Sequence, residues 1–290
     1  MKSNQELSDL KLLRSGKVRE VYEVDDKLLI VASDRISAFD VIMNEPVPDK
    51  GKILSKISIL WFKKTKEIID NHFISNDIAK YPEACKKYAD YLDGRSMLVK
   101  KCSPLPIEFV VRGYIAGSAW KEYQKSNTIN GIPIKAGLLE CAKLDEPIFT
   151  PSTKEESGHD INIDFEKCTE ILGKGLAKNL QKTAIDLYKF GAEYLDKRGI
   201  ILADTKFEFG IDESGEVILI DEALTPDSSR FWLKADYKAG QSQNQFDKQV
   251  LRDYLETLDW DKTPPPPVLP EAIITKVLAT YNSAYRMICS

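Results

Sequence analysis

Three charged residues, Asp204, Lys206 and Glu208, alternate with apolar ones within residues 200–211. Residues two apart in a β-strand share a face, so these three side chains would point the same way. A charged face on a strand rich in aromatic residues is unfavourable unless it borders water, an ion or a ligand. The spacing therefore indicates a chemical site on this strand. The opposite, core-facing positions would be Ala203, Thr205, Phe207 and Phe209.

A second strand is predicted at residues 216–221, after a short turn. If Ile211 pairs with the first residue of that strand, Asp221 faces Lys206, and Glu208 lies diagonally beside it. Diagonal neighbours in a ladder lie about 7–8 Å apart, so Glu208 and Asp221 are close enough to share an ion. The alternative is an ion pair between Lys206 and its neighbours, which leaves unexplained why two acids are drawn to one face.

Basic residues at the head of the N-terminal hairpin suit a phosphate. The turn consists of Gly16, Lys17, Val18 and Arg19. A glycine lets the backbone approach an anion closely, and the two cations supply charge-assisted donors. The alternative is an ordinary hairpin turn with solvated charges. The chain contains neither a G-x-x-x-x-G-K-[ST] nor a G-x-G-x-x-G motif, so neither a P-loop nor a Rossmann site is supported.

Two further arginines are candidates for binding an anion. Arg112 ends an apolar strand, and a glycine-containing turn leads from it to Ser118. Arg230 follows a Pro-Asp turn and is expected to project into the same cleft. The alternative for Arg112 is a surface ion pair at a strand end, and for Arg230 a surface arginine after a simple Pro-Asp turn. His159 lies in the loop Ser-Gly-His-Asp, where it either touches substrate or is simply exposed.

Composition narrows the class of protein. The chain has 290 residues, 43% hydrophobic and 30% charged, with a net charge of −4, so no basic excess indicates nucleic acid or an anionic membrane as a partner. The N-terminus lacks the apolar core of a signal peptide, and no apolar run approaches the roughly 20 residues of a membrane helix. We therefore expect a cytoplasmic protein. Five scattered cysteines and two histidines favour free thiols and a hard, oxygen-bound metal such as Mg²⁺.

The elements that position these residues form a predicted α+β fold with antiparallel sheets and flanking helices. A break at residues 103–106 divides it into a β-rich lobe, 1–103, and an α+β lobe, 104–290. A stretch rich in turns, 127–157, is predicted to be irregular. Predicted strands span 20–24, 27–32, 96–102 and 107–112, besides 200–211 and 216–221. Predicted helices span 52–71, 120–124, 164–197 in two parts, 246–258 and 271–288.

Several segments together resemble the phosphoribosylaminoimidazole-succinocarboxamide synthase (SAICAR synthetase) family. LPIEFVVRGYIAGS at 105–118 and LADTKFEFG at 202–210 resemble its two signature segments. Four others fall in the family's order: GKVREVY, SDRISAFD, FTPSTK and DEALTPDSSRFW. The length and the 127–157 stretch resemble the longer form of the family. That form usually carries an acid where Ile161 stands, which weakens the case for a ligand role of the His159 loop.

The resemblance implies the reaction and the ligands. ATP, the aminoimidazole ribotide carboxylate CAIR and L-aspartate give SAICAR, ADP and phosphate, through an acyl phosphate of CAIR. The expected ligands are ATP, Mg²⁺ and the two small-molecule substrates, with a monomer favoured. The implied fold has two lobes around an ATP cleft and is distantly similar to protein kinases and ATP-grasp enzymes.

The resemblance also assigns residues to roles. The metal ligands would be Glu208 and Asp221. Residues expected to contact ATP are Gly16, Lys17, Val18, Arg19 and Lys100, the last in an adenine-side hinge. The ribotide phosphate would be held by Arg112, Ser118 and Arg230. Lys206 would neutralise the reacting carboxylate and Asp204 would orient the imidazole amine. The CAIR and aspartate pockets would be completed by Ser37, Asp40 and Lys248.

Three rival functions remain. A kinase-like phosphotransferase would use the same hairpin with another acceptor, although the chain lacks H-R-D and D-F-G motifs. A regulatory nucleotide-binding module would have lost catalysis, yet the acidic and basic set of the hairpin is intact. A glycosidase needs an acid with a raised pKa, which Lys206 between the two carboxylates would oppose.

Overall fold

The computed structural model describes residues 7–154, 161–246 and 248–290. It has the predicted α+β fold, with two antiparallel sheets and helices on their flanks. The first sheet has five strands in the order β1-β2-β3-β7-β6. They are β1 (Lys11–Ser15), β2 (Arg19–Val24), β3 (Lys27–Ala32), β6 (Phe73–Ser75) and β7 (Ser96–Lys100). The predicted N-terminal hairpin is confirmed, since β2 pairs with β3 around a turn in which Asp25 is left-handed, with φ 52°.

The second sheet has seven strands, and the long strand β14 (Ile200–Asp212) is at its centre. Its other members are β8 (Cys102–Pro104), β9 (Ile107–Tyr114), β12 (Lys143–Phe149), β13 (Ser152–Thr153), β15 (Val217–Ile220) and β16 (Ser229–Leu233). Two short pairs stand apart: β4 (Ser37–Ala38) with β5 (Val41–Ile42), and β10 (Thr128–Ile129) with β11 (Ile132–Pro133). The chain passes from the first sheet to the second between Lys100 and Cys102, and the division into lobes at 103 stays a prediction.

The prediction that residues 127–157 are irregular is wrong for the part that the structure describes, 127–154. The stretch contains the β10–β11 pair, and β12 lies in the second sheet, where Phe149 pairs with Val111 of β9. Strand β12 could not be recognised from the sequence, because two exposed acids, Asp145 and Glu146, interrupt its apolar residues. A bulge in its pairing with β9 accommodates them.

Eight α-helices are described; two short ones, at 83–86 and 89–92, were not predicted, and the other six lie near their predicted positions. They are α1 (Lys50–Lys64), α2 (Glu83–Lys86), α3 (Ala89–Leu92), α4 (Ser118–Ser126), α5 (Phe165–Leu172), α6 (Lys174–Asp196), α7 (Gln249–Glu256) and α8 (Glu271–Cys289). The predicted break between α5 and α6 is at Gly173, whose φ is 81°. The first helix was predicted to reach residue 71 but ends at Lys64; Thr65 is its C-cap residue, and the Thr65 hydroxyl donates to the Trp61 carbonyl at 2.8 Å. No described helix is long and apolar enough to cross a membrane.

A β-bulge in β14 sets which of its side chains face the main core. Its pairing with β16 shifts by one residue between Leu202 and Asp204. Before the shift, Ile200 and Leu202 pack in the main core, whereas after it Phe207 and Phe209 do so. The even-numbered positions from 204 onward are thereby released from the core. The predicted core face is confirmed for Phe207 and Phe209 but wrong for Ala203, which packs in a smaller cluster with Trp232.

A buried histidine joins the two sheets. His72 is 3% exposed, its ring meets Phe62 edge to face at 5.1 Å, and its backbone N–H donates to the Leu219 carbonyl at 3.1 Å. Burial lowers the pKa of His72 to about 3, and the charge of Arg19 acts in the same direction. The imidazole is therefore neutral in the folded protein at neutral pH.

We expect this histidine to make the fold sensitive to acid. Below pH 6.5 His72 is protonated in the unfolded chain but stays neutral in the folded chain, because folding lowers its pKa to about 3. The free energy of unfolding therefore falls as the pH drops. Between pH 7 and 5 the loss should be about 2 kcal/mol smaller in His72→Gln than in the wild type. Urea unfolding of both proteins at pH 7, 6 and 5 measures it. Parallel losses in the two proteins would contradict the assignment.

Candidate active site

The larger of two adjoining cavities has a volume of about 680 Å³ and lies between the N-terminal turn and the hairpin β14–β15. Its walls come from both sheets, from the β4–β5 pair and from the start of α7. Ten residues singled out from the sequence line it: Gly16, Lys17, Val18, Arg19, Ser37, Asp40, Lys206, Glu208, Asp221 and Lys248. The structure thus gathers residues more than 200 positions apart in the chain.

A smaller cavity, of about 230 Å³, lies beside the first. Three of the predicted residues line it without reaching the larger cavity: Arg112, Asp204 and Arg230. Lys206, Asp227, Lys248 and Arg252 line both cavities. The two cavities therefore meet along a boundary that carries three cations and one acid.

The predicted register of the β14–β15 hairpin is wrong by one residue. Ile211 pairs with Val217 rather than Glu216, and Glu208 pairs with Ile220. The reason is the turn: Asp212 bonds to Glu216 across a three-residue loop in which Gly215 is left-handed with φ 88°, whereas the prediction placed a four-residue turn, 212–215, between the strands. Asp221 lies just beyond the end of β15 with φ 66°, and this bend brings it into the cavity with Glu208.

The two carboxylates differ in their surroundings. Glu208 contacts Lys154 and lies 3.4 Å from the Lys206 Nζ. Burial alone would raise the pKa of Glu208, but the charges of Lys206 and Lys154 outweigh it and lower that pKa to about 2. Burial raises the pKa of Asp221 to about 6, since the nearby Glu208 charge adds to burial and the Arg19 charge only partly opposes it.

Arg19 holds the acidic side of the larger cavity together. Its guanidinium donates to Asp221 at 2.8 Å and pairs with Glu222 at 2.7 Å. Burial alone would lower the pKa of Arg19, but the two acids raise it. A side chain predicted to contact phosphate therefore lies within reach of the acids on the opposite wall.

Asp204 organises the smaller cavity. Its Oδ2 accepts from Arg112 at 2.8 Å and also contacts Arg230. The Arg112 guanidinium further donates to the Thr150 hydroxyl at 3.0 Å and to the Ser118 hydroxyl at 3.4 Å. Ser118 is thus brought to Arg112 as predicted, although it lines neither cavity. Two arginines fixed on one buried acid present a rigid, positively charged surface to the cavity.

A glycine makes room for this arginine pair. Gly117 has φ 59°, and a Cβ built on it would lie 2.4 Å from the Arg230 Nη2. The segment 105–118 therefore needs glycine here for two reasons, since a side chain would strain the backbone and displace Arg230.

Two residues that contact Lys206 or Glu208 were missed from the sequence. Glu108 contacts the Lys206 Nζ and accepts from the Ser152 hydroxyl at 3.3 Å, while Lys154 contacts Glu208. Glu108 is 7% exposed. It could have been found from the sequence, because it is an acid within a mainly apolar predicted strand. Lys154 closes the segment FTPSTK and carries no such signal.

Asp227 was noted only as a turn residue, yet it collects three partners. It accepts from the Lys50 Nζ at 2.7 Å and from the Tyr281 hydroxyl at 2.5 Å, and the Lys248 Nζ lies 3.4 Å away. Lys50 is fully buried, and burial lowers its pKa despite this partner. A fully buried lysine at the start of a helix has no sequence signature, because its acid lies 177 positions away.

The predicted ATP contact Lys100 is not brought to these cavities. Lys100 lines neither of them and pairs instead with Asp70 at 3.0 Å. Its predicted adenine-side role stays a prediction. His159 lies outside the described residues.

Comparison with known proteins places the chain in a family. The family model described as SAICAR synthetase matches residues 12–267. The phosphoribosylaminoimidazole-succinocarboxamide synthase of Geobacter sulfurreducens is 58% identical over 95% of this chain and 93% of its own length. That of Thermodesulfovibrio yellowstonii is 53% identical over 98% and 97%.

Solved structures agree with this placement. A SAICAR synthase from Saccharomyces cerevisiae in complex with SAICAR has a TM-score of 0.89 and 45% identity, over 97% of this chain and 95% of its own. A SAICAR synthetase in complex with ADP has a TM-score of 0.69 and 26% identity, over 96% and 97%. On the family match and on the identity to these relatives over nearly its whole length, the chain belongs to the SAICAR synthetase family.

Proposed function

We propose that the two adjoining cavities divide the reaction of this family between them. The chain is an ATP-dependent ligase that joins L-aspartate to the carboxylate of CAIR, giving SAICAR, ADP and phosphate in purine biosynthesis. The observation that carries the proposal is the shared boundary. One cavity is bordered by a basic turn and two acids, the other by two arginines, and Lys206 and Lys248 line both.

The larger cavity suits ATP, in keeping with the relative solved with ADP. Gly16, Lys17, Val18 and Arg19 are proposed to contact its phosphates through backbone N–H groups and cations. Ser37, Asp40 and Lys248, on the far wall and on the boundary, would complete the CAIR and aspartate pockets.

Glu208 and Asp221 suit a magnesium ion. Both are carboxylates that line one cavity, and oxygen ligands of this kind are what Mg²⁺ prefers. Within the described part of the chain, no group of three or more His, Cys, Asp or Glu side chains could hold a metal, so phosphate and water would supply the remaining ligands. When bound, Mg²⁺ neutralises charge on the phosphates. In the structure the two acids form ion pairs: Asp221 with Arg19, and Glu208 with Lys154 and Lys206.

The smaller cavity suits the ribotide phosphate of CAIR, in keeping with the yeast relative solved with SAICAR. Arg112 and Arg230 would bind the phosphate, with the Ser118 hydroxyl supporting Arg112. Asp204 fixes both guanidinium groups, and its remaining lone pairs are proposed to orient the imidazole amine. The reacting carboxylate would then lie toward Lys206, at the boundary with the larger cavity.

The proposed chemistry has two steps. A carboxylate oxygen of CAIR attacks the γ-phosphorus of ATP, forming an acyl phosphate and releasing ADP. The amine of aspartate then attacks the acyl carbon, phosphate leaves with that oxygen, and the amine loses its proton. Lys206, positioned by Glu108, would offset the negative charge that gathers where the carboxylate meets the phosphate.

The overall reaction is tested by its dependence on aspartate. We expect steady ADP release only when CAIR, L-aspartate and Mg²⁺-ATP are all present, because the acyl phosphate is consumed by the amine. A coupled assay of ADP release, with L-glutamate in place of L-aspartate as control, measures it. Steady ADP release without aspartate would favour a phosphotransferase instead.

The metal role is tested at Glu208. In Glu208→Gln we expect kcat to fall on the order of 100-fold, since a metal ligand is lost while the side-chain shape is kept. The tightening of ADP binding by Mg²⁺, measured by calorimetry with and without the metal, should also shrink. Glu216→Gln, an exposed acid in the same hairpin, is the matched control and should match the wild type. A wild-type response to Mg²⁺ in Glu208→Gln would contradict the assignment.

A cytoplasmic location and a monomeric state stay predictions. A regulatory nucleotide-binding module is disfavoured because the substrate pocket is kept as well as the nucleotide side, with Arg112 and Arg230 both fixed on Asp204.

A further inference from the structure

In the turn between β1 and β2, residues 16–19, three backbone carbonyl groups accept hydrogen bonds from residues of one neighbouring segment, 33–35. The turn closes on itself through the Gly16 N–H, which donates to the Arg19 carbonyl at 2.7 Å. The carbonyls of Gly16 and Lys17 each accept from the guanidinium of Arg35, both at 3.1 Å. The carbonyl of Val18 accepts from the hydroxyl and the N–H of Ser33, at 2.8 and 2.9 Å.

A turn that meets a phosphate has to direct its N–H groups toward the anion and its carbonyl dipoles elsewhere. Three successive carbonyls of this turn are engaged by two residues of one neighbouring segment, 33–35. The planar fork of arginine suits this task, because its separate N–H groups reach two carbonyls at once. A lysine ammonium has no such fixed geometry.

Arg35 is itself held in place. Its Nη1 donates to the Glu20 Oε1 at 2.8 Å, and Glu20 is 1% exposed. The Tyr22 hydroxyl donates to the other carboxylate oxygen at 2.7 Å. The guanidinium is therefore fixed against β2 before any ligand arrives.

The segment is anchored at its middle residue as well. Asp34 accepts from the Gly51 N–H at 3.0 Å, at the start of α1, and pairs with Arg95 at 3.0 Å. A few residues further on, Ser37 and Asp40 line the larger cavity. Residues 33–40 thus connect the turn on one wall to a second wall of the same cavity.

We propose that Arg35 is a positioning residue for nucleotide binding, which rests on the proposed function. It acts through the carbonyls of Gly16 and Lys17, whose orientation it fixes so that the turn receives the phosphates of ATP. Ser33 does the same for Val18. Neither residue lines the larger cavity, so neither is assigned a contact with the nucleotide.

The proposal is tested with Arg35→Lys. This variant keeps the charge beside Glu20 but loses the fork to the two carbonyls. We expect the Kd for ADP with Mg²⁺ to rise about tenfold, as the loss of hydrogen bonds worth about 1.4 kcal/mol implies. The KM for CAIR should stay within about twofold, and amide hydrogen exchange should quicken at residues 17–19.

The matched control is Arg95→Lys. Arg95 also bonds the 33–35 segment, through Asp34, but among the described residues it makes no hydrogen bond or ion pair with the turn. Its ADP affinity should stay within about twofold of the wild type. Equal weakening in both variants, or a rise in the KM for CAIR that matches the loss of ADP affinity, would show a general loss of structure and overturn the proposal. So would unchanged ADP affinity in Arg35→Lys.

A second variant covers the case in which Arg35→Lys does not fold. Ser33→Ala removes the hydroxyl donor to Val18 but keeps the backbone bond, and we expect the Kd for ADP to rise about threefold. Unchanged affinity there overturns the proposal. If the wild type makes SAICAR while these variants bind ADP normally, only the positioning role fails. If the wild type neither makes SAICAR nor binds ADP, the proposed function fails and the positioning role with it.

Discussion

The β-bulge between Leu202 and Asp204 is the constraint on which both cavities depend. Without it, the alternation that buries Ile200 and Leu202 would carry Asp204, Lys206 and Glu208 into the same core. The extra residue exchanges the two faces of the strand. The aromatic residues beyond it therefore face the core, and the charged residues line the cavities. One irregular pairing thus lets a single central strand contribute both to stability and to the site.

Charge pairing is the second requirement, since an ionised side chain removed from water is destabilising unless it is matched. Four acids around the cavities each have cationic partners. Asp204 has two arginines, Glu208 two lysines, Asp221 has Arg19, and Asp227 has Lys50 and Lys248. When phosphates and a metal ion bind, they would replace some of these ion-pair partners: the phosphates would pair with the cations and the metal ion with the acids. The site is therefore organised before substrate binds, and a charge removed on one side leaves another unmatched.

Much of this arrangement could be predicted from the sequence, for physical reasons that differ between residues. The alternation in β14 predicts the shared face of Asp204, Lys206 and Glu208, because period-two spacing needs only local geometry. The bulge could not be predicted, since it depends on how β16 pairs with β14. The register of the β14–β15 hairpin was missed because three- and four-residue turns both suit a glycine at 215.

Residues whose partners lie far along the chain were harder to predict. Lys50 is fully buried because Asp227 and Tyr281 meet it, and neither is a neighbour in sequence. Glu108 was findable as an acid in an apolar strand, but its contact with Lys206 follows from the pairing of β9 with β14. Arg35 stands in a polar loop that the family resemblance covers, and only the folded chain brings it to the turn carbonyls.

The most direct test of the central claim follows the oxygen that would cross the boundary at Lys206. CAIR labelled with ¹⁸O in its carboxylate is turned over by the wild type and by Lys206→Met, and the label in the released phosphate is measured. We predict one labelled oxygen in phosphate for each SAICAR formed by the wild type. Transfer should be slower on the order of 100-fold in the variant, with CAIR and ADP affinity kept within a few fold. Unlabelled phosphate from the wild type would contradict the acyl phosphate, and transfer at the wild-type rate in the variant would contradict the meeting of the two cavities at this lysine.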